Sequence, residues 1–237
     1  MNRLLLVLAG AALAAVAAAA DAPKPDFSGV WLPISRESGR WPAQPPFTPA
    51  MAAARDQWNK ATAPIDVTRG DDEYISCMPY ALPQMVLAIT QYPFEIFQTP
   101  SQILIHAEVY GQIRRIHMGD APAPVDRLPT HTGYSRGRWE GNELVVETSH
   151  ILPMHEGNRY PGSAAMHVAE RISLQGSGQD RQLIDEVTIT DPQVYTQPVK
   201  VRMVYRTVPG VEVGEYICQQ DLWDQHRDGN ASRIPWR

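Results

Sequence analysis

The stretch HTGYSRGRWEGNELVVET, residues 131–148, decides the fold. It contains Gly133-Tyr134-Ser135-Arg136-Gly137, a literal G-x-S-x-G, the pattern of a serine-hydrolase nucleophile elbow. The elbow needs a strand before the serine and a helix directly after it, so that the helix N-terminus faces the oxyanion. Here Ser135 is followed by a strand end, the turn Glu140-Gly141-Asn142-Glu143 and a second strand, Leu144-Val145-Val146. A hairpin is expected, with Ser135 a structural residue rather than a nucleophile. The flanking glycines are expected to permit bends or bulges as the chain enters the hairpin.

The same period-2 text runs outward in both directions. From Phe94 onward, Ile103, Ile105, Ala107 and Val109 alternate with Leu104, His106, Glu108 and Tyr110. Further runs of strand length follow at 113–118, 144–148, 166–174, 183–190, 199–206 and 215–218, each bounded by Gly, Pro, Asp or Asn. Short connections and the absence of alternating helices predict a mostly β chain, an antiparallel meander without parallel pairs. Eight to ten such strands are expected to close into a barrel or a strongly curved sheet, because closure removes edges. Upstream, a short strand is expected at 27–32, ended by Pro33. Thr48-Pro49 then reads as an N-cap followed by proline at the first helical position, starting one helix over about 48–60. Residues 62–92, broken by Pro64, Pro79 and Pro83, read as irregular, and about 38–92 as a helical, Pro-rich insertion into a single domain of residues 21–237.

The N-terminus, MNRLLLVLAGAALAAVAAAADAPKPDF, has Arg3 before an apolar run and Ala18-Ala19-Ala20 as a small-residue cleavage site. It is expected to be a secretory signal peptide of residues 1–20, cut after Ala20, which places the mature chain in the periplasm or outside the cell. No later segment reads as a transmembrane helix. The mature chain carries 20 basic residues against 26 acidic, and its only lysines are Lys24, Lys60 and Lys200. Nucleic acid and anionic membrane are therefore poor partners. Two cysteines, Cys77 and Cys218, in an oxidising compartment predict one disulfide.

Three stretches together resemble a group of exported bacterial proteins of no established activity. They are Tyr92-Pro93-Phe94-Glu95-Ile96, the run Gly137–Thr148, and Ile189-Thr190-Asp191-Pro192 with Tyr195-Thr196 and Pro198. Cys77-Met78-Pro79 and Glu215-Tyr216-Ile217-Cys218 match two further marks of that group, which commonly has Asp where this chain has Asn142. Gly29-Val30-Trp31 is similar to the lipocalin G-x-W at the head of a first strand, a likeness that implies a barrel.

Parity sorts the strand residues into two faces. One carries Ile103, Ile105, Ile116, Met118, Leu144, Val146, Val168, Ile172, Val187, Ile189, Val201 and Met203. The other carries His106, Arg115, His117, Glu147, His167, Arg171, Glu186 and Arg202. Two readings follow. The polar set is either the solvated outside of the barrel or the lining of a cup. In a cup, Arg115, Glu147, His167, Arg171 and Glu186, with His131 in a loop, are the ligand-binding or acid–base candidates. Tyr134, Trp139, His155 and Tyr160 are candidates for the loop rim. His150 and His155 lie five apart with Pro153 between them, and no C-x-x-C or H-E-x-x-H occurs, so neither a metal nor a cofactor is expected. A barrel that binds a small polar or aromatic organic molecule is the leading function. A cofactor-free lyase, isomerase or hydrolase and an envelope interaction module are the alternatives.

Overall fold

The computed structural model describes residues 23–62, 79–88 and 92–217. The expected leader and both cysteines of the expected disulfide lie outside the described residues. Nine strands close into one barrel in chain order. They are β1 Gly29–Pro33, β2 Phe94–Gln98, β3 Gln102–Ala107, β4 Gln112–Met118, β5 Tyr134–Glu140, β6 Glu143–Ser149, β7 His167–Gln175, β8 Gln182–Thr190 and β9 Val199–Thr207. β9 returns to pair with β1, Trp31 opposite Thr207 and Pro33 opposite Tyr205. The mostly β barrel read from the sequence is the observed architecture. Gly29-Val30-Trp31 stands at the head of β1, and the buried Trp31 indole donates to the Phe27 carbonyl at 2.9 Å.

The meander has one exception. β4 and β5 pair in parallel, Ile116 opposite Ser135 and Met118 opposite Gly137. Parallel neighbours need a crossover of a dozen or more residues, usually a helix. Here residues 119–133 serve without one, an extended loop that returns the chain to the end of the barrel from which β4 began. Strand periodicity alone does not report direction, so a long loop between two good strands was the only clue. No strand forms at Glu215–Ile217; the Gly214 amide donates to the Glu108 carboxylate at 2.9 Å, and Tyr216 packs edge-on against Tyr92. Val109 leaves the ladder in a 3-10 turn, Val109–Gly111, where Tyr110 takes a φ of 60°.

Among the described residues two helices lie between β1 and β2. α1 spans Pro49–Thr62, and the Thr48 hydroxyl accepts the Met51 amide at 3.2 Å, the N-cap bond expected of it. Arg55 of α1 donates to the carbonyls of Glu156, at 2.8 Å, and Asn158, which fixes the helix against the loop before β7. α2 is a single turn, Gln84–Leu87, in a stretch read as irregular from its prolines. Its Gln84, Met85 and Leu87 are buried, so packing against the barrel forms this turn where local propensity would not.

The apolar face lines the interior: Ile103, Ile116, Val146, Val168, Ile189 and Met203 are all buried. The polar face is outside. Arg171 is 47% exposed and pairs with Glu140 at 3.0 Å and with Glu143; Glu186 is 54% exposed and pairs with Arg202 at 3.1 Å. Pairing of β5 with β6 runs unbroken from Tyr134–Ser149 to Glu140–Glu143, so Gly137 marks no bulge. A Cβ there would stand 2.7 Å from Ile116 Cγ2 and 2.9 Å from Met118 Sδ. The glycine is the gap through which β4 side chains pass at the parallel seam. Gly133, with φ of 65°, makes the bend into β5.

Gly137→Val is expected to lower stability by about 1–3 kcal/mol in urea melts, because the seam has no room to give. Arg171→Ala and Arg115→Ala, on the outer face, are expected to melt with the wild type. A lowered midpoint in either would contradict the exterior placement.

Candidate functional site

The interior is not wholly apolar. Six successive strands each contribute one polar side chain to a layer across it: Arg114 from β4, Ser135 from β5, Thr148 from β6, Glu170 from β7, Asp185 from β8 and Tyr205 from β9. Register accounts for the alignment. Ser135 lies opposite Thr148, and each later member is one interior position diagonal to the last, with Ile172 opposite Asp185 and Leu183 opposite Tyr205. Arg114 and Glu170 are each 1% exposed. The guanidinium donates from Nη1 to Glu170 Oε1 at 2.8 Å, from Nη2 to Glu170 Oε2 and to Thr148 Oγ1 at 2.9 Å, and from Nε to Ser135 Oγ at 3.1 Å. Ser135 and Thr148 share a further bond of 2.8 Å.

Ser135 is thus fully buried and is a ligand of Arg114. No helix follows it, and its hydroxyl bonds to Arg114 and Thr148 and to no histidine among the described residues, which agrees with its reading as a structural residue. Its hydroxyl holds the planar guanidinium from one side while Glu170 grips it bidentately from the other.

Asp185 is the surplus acid of the layer. Burial, and then the negative charge of Glu170 beside it, push its carboxyl well above the ordinary value of 3.8; Arg114 opposes this only in part. The proximity of Glu170 as a hydrogen-bonding neighbour acts in the same direction, towards the protonated form of Asp185. Its Oδ1 is buried without a hydrogen-bond partner among the described residues. Burial and the nearby acids also push the Tyr205 hydroxyl up. Arg114, Glu170, Asp185 and Tyr205 form one wall of a pocket of about 40 Å³ whose other walls are apolar, among them Met85, Phe94 and Ile96.

A second, larger cavity of about 650 Å³ opens outside α2. Val201 and Met203 of β9 and Leu87 of α2 contribute its apolar surface; Trp41, Tyr80, Tyr92 and Tyr160 are its aromatic walls; Arg40 and Arg159 are its only charged lining residues among the described residues. Trp41 stands edge-on to Tyr160 at 4.9 Å, and its buried indole N–H has no hydrogen-bond partner among the described residues. No family model matches the chain, and no curated protein matches it.

The candidates read from the sequence are scattered. Arg115, His167, Arg171 and Glu186 are exposed on the outer face, and Glu147 lies outward opposite Arg136 across the β5–β6 pair. They do not converge, because the face that carries them surrounds the barrel instead of lining it. His131 is half-buried in the loop before β5, where its carbonyl accepts the Leu82 amide at 2.8 Å and burial lowers its pKa. Of the rim set only Tyr160 reaches the cleft. Tyr134 stacks on His117 at 4.8 Å, Trp139 leans on Phe27 at 5.3 Å, and the exposed His155 packs on Trp58 at 4.7 Å. Among the described residues no three His, Cys, Asp or Glu side chains gather closely enough to hold a metal. The residues missed were Arg114, Glu170 and Asp185. Each is a charge at core parity: Arg114 two before Ile116, Glu170 between Val168 and Ile172, Asp185 two before Val187.

Two results are expected of this layer. Arg114→Met strands Glu170 in the core and should cost about 3–5 kcal/mol in denaturant melts, whereas Ser135→Ala leaves one buried N–H unmet and should cost about 1–3 kcal/mol. Asp185→Asn tests the proton. The unfolded chain releases the Asp185 proton near pH 4 while the folded chain keeps it, so the stability of the wild type falls as pH rises from there through the folded-state value. The Asn variant lacks this loss. It should be the more stable protein at pH 7, with the gap closing towards pH 4. A gap that is constant or widens as pH falls would show Asp185 ionised.

Proposed function

We propose that this is an exported barrel protein that binds a small organic molecule with an aromatic body and an anionic or strongly hydrogen-bond-accepting end, in the cleft outside α2. One observation carries the reading. A cavity of about 650 Å³, within the range of small-molecule sites, has aromatic walls and both Arg40 and Arg159, and among the described residues no carboxylate lines it. Trp41 adds aromatic area to the same cleft. Aromatic walls supply area at low entropic cost, and arginine pairs with a carboxylate in a fixed fork. The leader-like N-terminus supports export, and the resemblance to exported bacterial proteins agrees with it. The carboxyl pair Asp185–Glu170 favours a second reading, a cofactor-free enzyme using acid–base chemistry, since burial and a neighbouring acid raise the Asp185 pKa in the direction a general acid needs.

Calorimetric titration with 2-naphthoate and with its methyl ester checks the binding reading. The acid should bind and the ester should bind at least tenfold more weakly. Arg40→Ala combined with Arg159→Ala should remove that difference, and Trp41→Phe should weaken the acid several-fold. Equal affinity of acid and ester for the wild type would place the ligand elsewhere or give it a different chemistry.

A further inference from the structure

Tyr134, the second residue of the G-x-S-x-G, stands on the outer face of β5 beside the parallel seam. Its ring stacks on the His117 imidazole at 4.8 Å with 20° between the planes, and the Arg127 guanidinium lies over it at 5.6 Å. His117 is on β4. Arg115 shares its outward face two residues earlier, and Arg136 of β5 stands opposite it across the seam. Arg127 reaches in from the loop of residues 119–133, and its Nη2 also donates to the Gly133 carbonyl at 3.4 Å. Two strands and a loop thus bring cationic groups to one aromatic platform. These cations are unmatched. Arg138 and Arg171 pair with Glu140 and Glu143, and Arg202 with Glu186, but Arg115, Arg127 and Arg136 make no ion pair among the described residues. Glu147 faces Arg136 from β6, on the side away from His117, and Gln102 opposite His117 on β3 is uncharged. Burial, and then the charges of Arg115 and Arg127, lower the His117 pKa, and no acid opposes them. The chain as a whole has a net charge of −5, so this is a local reversal of sign. We propose that Arg115, Arg127 and His117, framed on Tyr134, form a second binding site, distinct from the cleft, for a tetrahedral dianion, the sulfate or phosphate group of a small molecule.

The placement of the donors selects that class. A planar carboxylate is held by one guanidinium fork, as Glu170 is by Arg114. Here the donors come from a strand and a separate loop and approach from different directions, which suits four oxygens arranged as a tetrahedron. Two fixed guanidinium charges match a dianion, whereas a monoanion leaves one of them uncompensated. Arg115 and Arg127 are exposed and His117 is half-buried, so a ligand reaches all three from solvent. An anion between the arginines offsets the charges that disfavour the imidazolium. His117 then takes up a proton and donates a third charge-assisted bond.

The full chain, labelled with 13C at its histidine rings, reports on the site through His117 at constant ionic strength. Sodium sulfate is the first probe, because it stays a dianion throughout the range in which a histidine titrates. Sulfate should shift the His117 signal saturably, with an affinity at least tenfold above that of chloride, and should raise the pH midpoint of that signal. Arg115→Ala and Arg127→Ala should each weaken sulfate at least fivefold. Arg171→Ala, an outer-face arginine already paired with Glu140 and Glu143, should bind like the wild type. So should the double variant Arg40→Ala with Arg159→Ala in the cleft. Inorganic phosphate and phenyl phosphate then identify the source. Tighter binding of the ester supports a group carried by an organic molecule, and equal binding supports the free ion. The proposal fails if chloride matches sulfate, if the midpoint does not move, or if neither Arg115→Ala nor Arg127→Ala weakens binding. It fails equally if hexaglutamate or phosphatidic acid vesicles shift His117 while sulfate and both phosphates do not. The patch would then dock an acidic protein or membrane surface.

Discussion

Everything inside the barrel is arranged around the Arg114 guanidinium. A buried cation must be matched in charge and in hydrogen bonds, and Arg114 obtains both from three other strands: Ser135 on β5, Thr148 on β6 and Glu170 on β7. Its bonds are directional, whereas the apolar contacts around it are not. A one-residue slip of β6 or β7 would turn Thr148 or Glu170 to the outside and leave the charge alone in the core. The pair fixes the register of this half of the barrel. The apolar residues Ile116, Val146, Val168 and Val187 then fill the space above and below the polar layer.

The parallel seam belongs to the same constraint. β4 and β5 share only the short register from Ile116–Ser135 to Met118–Gly137, a weak join for a barrel wall. The bond from Arg114 to Ser135 ties these two strands from the inside, close to where their backbone pairing begins. Gly137 lets Ile116 and Met118 pack across the join without a side chain in the way. A side-chain bridge and a missing Cβ thus do at this seam what a long ladder does elsewhere.

The barrel was legible because its evidence is periodic. Alternation from Ile103 to Val109, at Leu144–Val146 and at Val199–Met203 names strands and one apolar face at once, and the turn at Gly141-Asn142 places the hairpin. Direction was not legible, since β4 and β5 read the same whether parallel or antiparallel. The site was legible only in its residue types. Arginine with carboxylates was the expected chemistry, but it was sought on the face where charge is common. Glu147, Arg171 and Glu186 have water and neighbouring charges and need nothing else. Charge is informative where parity says it should be absent, as at Arg114, Glu170 and Asp185. Likewise the cleft draws Trp41, Tyr80, Tyr92 and Arg159 from segments with no period, so nothing in the text joins them before the chain is folded.

One acid more than the structure needs is present. Arg114 is paired in charge with Glu170, and the hydrogen bonds of its guanidinium go to Ser135, Thr148 and Glu170 and not to Asp185. Replacing Asp185 by an apolar residue would remove a desolvated carboxyl and an unmet oxygen, two terms that both oppose folding. Packing therefore gives no reason for an acid at this position. What this acid does have is a raised pKa, held up by burial and then by the charge of Glu170 beside it, next to an apolar pocket. A charge pair that sets register and an acid of raised pKa beside that pair are two different devices built from the same layer. The first explains how the barrel closes, and the second is the part of the interior that stability does not account for.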